Sequence, residues 1–476
     1  PYDWEHGAPL NLKEARRMTT GIHVGEAEHK YDYSAVLSDT PAYGWSSTKS
    51  HVGLWIVNPS MEYIGGGPTK AELTGHLDVN PGALPTLLNM WLGSHYGGTS
   101  LTVGESEDWT KVIGPFLIYC NSAPNHEAMW KDALARAFAE SSLWPYAWVV
   151  DLNYPPAAQR GSVNGRIDFR DPLAPNSAIS NLWVGLTAPD YPGRSMFRGG
   201  FPTNVDWQRD SKSYQFWTRG DSHGRFAIRN VRPGGYTLHA FADGALGEFA
   251  RTNITIAAAE AKQLGELNWT PIRYGRTVWE IGVPDRTARE FHHGDHYWQW
   301  GLYFDYPREF PNDVNFVIGK SDWRRDWNYV QPPRIEDRNV PVVGEEDDET
   351  RTQPVRFGGR NVRSTTWTVT WTMPDAPHGK ATLRLAFCGT HSGCNVEAFV
   401  NDQRIGETGI LPSTSAMQRD GIRAYWIEKD IGFDADLMAR GTNVLKLTSH
   451  ANSWSQGVMY DYLRLELDDA KPSVSQ

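Results

Sequence analysis

The stretch Thr365–Met373, TTWTVTWTM, alternates large apolar residues with threonines along its whole length. A period of two puts its tryptophans, valine and methionine on one face of a β-strand and Thr366, Thr368, Thr370 and Thr372 on the other. ATLRLAF (381–387), NVEAFVND (395–402) and MYDYLRLEL (459–467) alternate in the same way. Strands of regular length with one apolar face predict a jelly-roll sandwich for residues 271–476.

A smaller sandwich is predicted for residues 159–270. The run NYPPAAQRGSVNG (153–165) is rich in turn formers and indicates a linker into this unit. Within the unit, residues 224–244 alternate apolar and polar positions on both sides of a Pro-Gly-Gly turn, which predicts an antiparallel hairpin. The residues expected to face its core are Phe226, Ile228, Val231, Tyr236, Leu238 and Ala240. No catalytic constellation stands out here, so a spacer role is expected.

The first unit, residues 1–158, is predicted to combine short strands with one helix. VGLWIV (52–57), LLNMWL (87–92) and KVIGPFLIY (111–119) are short apolar runs broken by Gly, Pro and Asn, as in a sandwich. HEAMWKDALARAFAESSLWP (126–145) has helical periodicity and ends at a proline. Its predicted apolar stripe is Met129, Trp130, Ala133, Leu134, Ala137 and Phe138. The chain as a whole is therefore predicted to be an all-β, multi-domain protein.

Composition excludes several classes of partner. The net charge is −10 and no long basic run occurs, which argues against a nucleic acid. No apolar stretch approaches the roughly 18 residues that span a bilayer, so no membrane partner is expected. Three cysteines are too few for a disulfide scaffold, and Cys388 and Cys394 could form either a short bridge or two reduced thiols.

Three motifs have residue types that suggest ligand binding without the required spacing. GGGPTK (65–70) lacks the spacing of a phosphate-binding loop. The HHGDH cluster, with His292, His293 and His296, lacks the H-E-x-x-H arrangement, so a structural or surface role is predicted and no metal site. GEEDDE (344–349) is interpreted as a solvated loop rather than a calcium site. A glycosidase carboxylate pair stays an alternative, because sequence spacing does not report the distance between two acids.

Two local segments contain side chains suited to acid–base chemistry. In KYDYSA (30–35), strand alternation would place Lys30, Asp32 and Ser34 on one face. His95 follows the run LLNMWL where glycines open a turn, a position from which a side chain can face a groove.

Six segments together resemble a known family, polysaccharide lyase family 4, the rhamnogalacturonan lyases. The resemblance runs in order from about residue 8 to residue 467 and rests on residues 30–35, 52–76, 87–98, 278–291, 294–319 and 457–467. It implies three domains: a catalytic β-sandwich (1–158), a fibronectin-III-like domain (159–270) and a C-terminal jelly roll that resembles carbohydrate-binding modules (271–476).

The resemblance also implies a reaction and its residues. The family cleaves the rhamnose-(1,4)-galacturonate bond of rhamnogalacturonan I by β-elimination, with a lysine as base and a histidine as acid, and Lys30 and His95 match those positions. Lys30 then needs desolvation or a nearby cation to lower its pKa from about 10.4. Tyr96, Tyr33 and Arg16 are expected to bind substrate. No cofactor is expected to be required, although a structural or substrate-bridging calcium is compatible with the reaction.

The family has further strands and substrate-binding arginines upstream of its lysine, whereas only 29 residues precede Lys30 here. Residues 1–158 are therefore expected to be the C-terminal part of the catalytic sandwich, with the remainder missing from this chain or supplied by a second chain. The segment after Pro1 has no signal-peptide core, so a leader has been removed or the chain starts late. A secreted, extracellular protein acting on pectic polysaccharide is expected. The alternatives are a non-catalytic carbohydrate-binding protein on the same scaffold and a glycoside hydrolase.

Overall fold

A computed structural model describes most of the chain: residues 7–9, 15–77, 85–92, 100–150, 153–194, 202–295, 302–335, 362–391, 393–413, 425–453 and 456–469. Strands dominate these residues, which confirms the predicted all-β class. The chain divides into two compact units, the first built mainly from residues 32–170 and 177–271, the second from residues 6–31, 171–176 and 272–476. The three predicted domain boundaries stay predictions. None of the helices in the described ranges combines the length and apolar content needed to cross a bilayer.

A small antiparallel sheet at the start of the chain is grouped with the second unit. Its strands, in sheet order, are β1 (Gly7–Pro9), β2 (Ala15–Met18) and β3 (Ala27–His29). A 3-10 helix, Lys30–Tyr33, follows β3 directly. The strand predicted from alternation in KYDYSA is therefore wrong up to Tyr33. Successive residues of a 3-10 helix lie about 120° apart, so Asp32 and Tyr33 are both buried instead of pointing to opposite faces.

The first half of the first unit consists of short strands and one long helix. Its elements are β4 (Ser34–Val36), β5 (Ala42–Ser47), β6 (Val52–Val57), β7 (Ala71–Leu73), β8 (Gly75–Leu77), β9 (Pro85–Leu87), β10 (Leu117–Asn121) and α1 (His126–Leu143). The sheets are β10-β6-β5, β4-β7 and β8-β9. VGLWIV forms β6 as predicted, whereas LLNMWL contributes only its first residue to β9 and KVIGPFLIY only its last three to β10. Those two strand predictions were wrong over most of their length.

Helix α1 confirms the predicted helix and corrects one residue of its apolar face. Asn125 caps it, because its Oδ1 accepts a hydrogen bond from a backbone N–H of the first turn. Met129, Ala133 and Ala137 are fully buried against β5 and β6. Phe138, predicted to lie on the same face, is 68% exposed. It follows Met129 by nine positions, which at 100° per residue places it on the opposite side of the helix.

The second half of the first unit is a two-sheet sandwich. Its strands are β11 (Gly161–Phe169), β12 (Ser180–Thr187), β13 (Tyr191–Arg194), β14 (Pro202–Val205), β15 (Phe216–Arg219), β16 (Arg225–Val231), β17 (Gly234–Asp243), β18 (Phe249–Ile256) and β19 (Ala261–Trp269). The main sheets are β16-β11-β19 and β15-β12-β17-β18, and a ribbon, β13-β14, lies apart from them. The six residues predicted to face the core are all buried there.

The predicted hairpin between β16 and β17 is wrong. β16 pairs with β11 in one sheet, and β17 pairs with β12 and β18 in the other. The turn at Arg232–Pro233 therefore carries the chain from one sheet to the other. Alternation specifies which face of each strand is apolar. It does not specify whether two consecutive strands belong to one sheet or to two sheets whose apolar faces pack together.

The second unit contains a larger sandwich. Its elements are β20 (Arg276–Gly282), α2 (Leu302–Glu309), β21 (Asn315–Val317), α3 (Trp323–Asp326), β22 (Arg334–Ile335), β23 (Val362–Arg363), β24 (Thr365–Met373), β25 (Lys380–His391), β26 (Asn395–Val400), β27 (Gln403–Glu407), β28 (Ile427–Asp434), β29 (Gly441–His450) and β30 (Gly457–Asp468). The two main sheets are β20-β30-β25-β28 and β21-β24-β29-β26-β27.

The core of this sandwich confirms the alternation of the sequence. The stretch TTWTVTWTM is strand β24, and its four large apolar residues are buried. Trp327 and Trp367 are both fully buried and meet edge to face at the centre, with ring centroids 4.8 Å apart. Cys388 and Cys394 are free, buried thiols, so the second of the two alternatives left open by the sequence is the correct one.

Candidate functional site

Two of the residues predicted to act on the substrate, Arg16 and Lys30, lie in β2 and in the 3-10 helix that follows β3. Lys30 is the first residue of the 3-10 helix after β3. Arg16 lies in β2, where its backbone is opposite that of Glu28 in the neighbouring strand β3. His95 and Tyr96 lie outside the described residues, so the catalytic roles of Lys30 and His95 stay predictions.

Tyr33, predicted to bind substrate, belongs to the core of the first unit. It is 9% exposed, and its ring packs against Trp45 with centroids 5.0 Å apart. Its carbonyl oxygen accepts a hydrogen bond from the backbone N–H of Thr74 at 2.8 Å. These contacts anchor the end of the 3-10 helix, and the predicted contact with substrate stays a prediction.

The first unit contains buried lysines with the lowered pKa that the base of an elimination needs, and Lys70 is one of them. Lys70 lines a cavity of about 380 Å³ together with aromatic residues of the sandwich, among them Trp183 and Trp217. Burial lowers the pKa of Lys70 to about 8, against the opposing effect of Glu72. Gly66 has φ +91° and packs directly on the Lys70 side chain, where a Cβ would clash. Lys70 was missed because GGGPTK was considered only as a phosphate loop.

A buried cluster of three charges also lies in the first unit. The carboxylate of Glu62 accepts hydrogen bonds from the guanidinium groups of Arg160 and Arg232, each at 2.7 Å at its shortest. The three side chains are 2%, 0% and 8% exposed. Arg232 also stacks on the ring of Tyr214, with its guanidinium carbon 3.7 Å from the centroid. A single carboxylate therefore compensates two buried cations.

In the second unit, two segments of the resemblance, residues 278–291 and 457–467, meet around buried carboxylates. Asp461 accepts hydrogen bonds from the backbone N–H groups of Asp285 and Arg286 and from the indole N–H of Trp426. Burial raises the pKa of Asp461 to about 7 and that of Glu290 to about 8. Glu290 accepts one hydrogen bond, from the backbone of Val283 at 2.6 Å. Both acids titrate near neutral pH.

Replacing Glu290 with glutamine is expected to flatten the pH dependence of stability of the second unit. A carboxyl whose pKa rises from 4.5 to about 8 on folding stabilises the fold fully below 4.5. That contribution is lost as the pH rises through about 8, by at most about 1.4 kcal/mol per pH unit for one group. Urea unfolding at about pH 6 and about pH 9 measures the effect. The exposed Asp375→Asn serves as control, and equal slopes for wild type and Glu290→Gln would contradict the prediction.

Two of the three histidines in the HHGDH cluster meet a carboxylate. Nε2 of His293 lies 3.0 Å from Oε1 of Glu309, and Nε2 of His292 lies 3.4 Å from Oε2. Burial alone would raise the pKa of Glu309, but hydrogen bonding to both imidazoles holds it at about 2. His296 lies outside the described residues. Among the described residues, this group is the one whose side chains could hold a metal ion.

Comparison with known families and proteins identifies what the chain is similar to. Residues 181–264 match the model described as polysaccharide lyase family 4, domain II, and residues 277–465 match domain III of the same family. Together the two matches cover more than half of the chain. They fall within the predicted fibronectin-III-like and carbohydrate-binding-like domains.

Relatives named as lyases match over most of the chain. A rhamnogalacturonate lyase of Dickeya dadantii is 31% identical over 336 residues, which is 68% of this chain and 50% of that protein. A probable rhamnogalacturonate lyase B of Aspergillus niger is 26% identical over 88% of this chain and 59% of its own length. Rhamnogalacturonate lyase B of Emericella nidulans is 26% identical over 92% of this chain and 67% of its own length. The matches thus span half to two thirds of these relatives, and the chain belongs to polysaccharide lyase family 4.

Proposed function

We propose that this chain acts on the backbone of rhamnogalacturonan I, a pectic polysaccharide, outside the cell. It cleaves the rhamnose-(1,4)-galacturonate bond by β-elimination, with Lys30 as base and His95 as acid. The observation that supports this proposal is the ordered match to relatives named rhamnogalacturonate lyase over 88% and 92% of the chain.

The reaction makes a specific demand on each residue. Lys30 removes the proton on C5 of galacturonate, next to the carboxylate, and His95 protonates the oxygen that leaves C4. The developing negative charge on the carboxylate requires a nearby cation, which an arginine such as Arg16 can supply. Because the base and the acid are both side chains, the chain needs no resident cofactor for these steps.

Incubating rhamnogalacturonan I with a protein that contains this chain and the remainder of the catalytic sandwich is expected to produce the ultraviolet absorbance of an unsaturated uronate. Homogalacturonan, which has no rhamnose-to-galacturonate bond, is the matched control substrate and should give no signal. A hydrolase would instead release new reducing ends without the chromophore, and a binding protein would retain the polymer and release neither. Either of those two outcomes, or equal cleavage of homogalacturonan, would contradict the proposal.

A chelator tests the role of metal ions in the same assay. The rate is expected to be unchanged in its presence, because no step is assigned to a metal ion. If the rate falls and calcium alone restores it, calcium rather than an arginine neutralises the substrate carboxylate, and the statement that no cofactor is needed is wrong.

A further inference from the structure

Two imidazoles and one carboxylate converge on the surface of the second unit at metal-binding distances. The donor atoms of His292, His293 and Glu309 all lie within 4.8 Å of one another. In a tetrahedral zinc site, bonds of about 2.0–2.1 Å place neighbouring donor atoms about 3.3 Å apart. The nitrogen-to-oxygen distances of 3.4 Å and 3.0 Å are already close to that value.

The backbone fixes the two histidines before any ion arrives. The N–H of His292 donates to the carbonyl of Trp327 at 2.9 Å, and its own carbonyl accepts from the N–H of Tyr329 at 3.0 Å. His293 adopts φ +63°, a left-handed conformation that turns its ring back onto that of His292, with centroids 3.8 Å apart. Ligands held in place in this way lose little conformational entropy on binding.

The carboxylate is positioned from a separate element. Glu309 is the last residue of α2. The next residue, Phe310, donates its N–H to the carbonyl of Tyr306, and its ring meets that of His292 in a T-shaped contact. An ion at this point would therefore join the loop after β20 to the end of α2.

Exposure and donor chemistry define which ion fits. The side chains of His292, His293 and Glu309 are 28%, 17% and 33% exposed, so an ion can enter from solvent and keep a water as its fourth ligand. Imidazole nitrogens suit zinc and the neighbouring divalent transition metals. Calcium prefers six to eight oxygen ligands and is a poor match.

We propose that His292, His293 and Glu309 form a binding site for one zinc ion or a neighbouring divalent transition-metal ion, which clamps the loop after β20 to α2. The site lies outside the residues assigned to β-elimination, and the proposal does not depend on the lyase activity.

Calorimetric titration of the tag-free, chelator-treated chain with Zn²⁺ tests this site. One ion is expected to bind per chain, and Glu309→Gln is expected to weaken binding by about 100-fold or more. His450→Ala is the matched control, because His450 forms a single imidazole–carboxylate pair with Glu397 in the same unit. No stoichiometric binding by the wild type, or equal affinity for wild type and Glu309→Gln, would overturn the proposal.

Electron paramagnetic resonance with Cu²⁺ counts the nitrogen ligands of the bound ion directly. Coupling to two nitrogens is expected in the wild type, and coupling to one nitrogen in His293→Ala. Zn²⁺ should also raise the thermal unfolding midpoint of the wild type but not that of Glu309→Gln, whose midpoint in chelator shows whether it is folded. A wild-type spectrum without two coupled nitrogens would overturn the proposal even if both variants failed to fold.

Discussion

Replacing Glu62 with alanine is expected to lower the free energy of unfolding of the first unit by about 3–5 kcal/mol. The variant would leave Arg160 and Arg232 buried without their shared carboxylate, and both guanidinium groups would lie within one cluster. The desolvation already imposed on the two cations would then be uncompensated, which costs more than the loss of the hydrogen bonds alone.

Urea unfolding followed by tryptophan fluorescence measures this loss. Glu266→Ala is the matched control, because Glu266 forms a 2.5 Å ion pair with Arg166 in the same unit, with side chains 48% and 43% exposed. An exposed pair of this kind contributes less than about 1 kcal/mol. If Glu62→Ala destabilised the protein no more than Glu266→Ala, the charge cluster would not hold the first unit together.

Replacing Lys30 with alanine is expected to slow β-elimination by about 10²–10⁴-fold, the usual contribution of a general base. Lys30→Arg is expected to be similarly slow, because a guanidinium keeps its positive charge but cannot accept a proton at the pH of the assay. The comparison separates proton abstraction from simple charge stabilisation. The rate of appearance of unsaturated uronate is the measurement.

Two further lysines make this test specific. Lys49 is exposed in the turn between β5 and β6, and Lys49→Ala is expected to leave the rate unchanged. Lys70→Met removes a lysine whose pKa burial lowers to about 8, while keeping most of its buried volume. Full activity of Lys30→Ala would show that the base was assigned to the wrong residue. If a folded Lys70→Met were inactive at the same time, Lys70 would be the better candidate.

Local patterns in the sequence determined the class of the fold and several of its regular elements. Strand β24 and helix α1 were predictable because a period of two or of 3.6 residues is a property of one segment and its own apolar face. The family resemblance rested on short motifs of the same kind. The helix prediction failed at Phe138. It was predicted to lie on the apolar face of α1, but its position along the helix places it on the opposite, exposed side.

Only the tertiary structure decided which segments meet. The sequence around β16 and β17 showed two apolar faces but not that they close two different sheets. Glu62 is separated from Arg160 and Arg232 by 98 and 170 positions, and no local spacing relates them. Glu309 follows His293 by 16 residues, and it became a candidate ligand only because α2 ends beside the loop after β20. Charges and ligands act through distances of a few ångströms, and such distances between remote segments are set by how the sheets and helices pack.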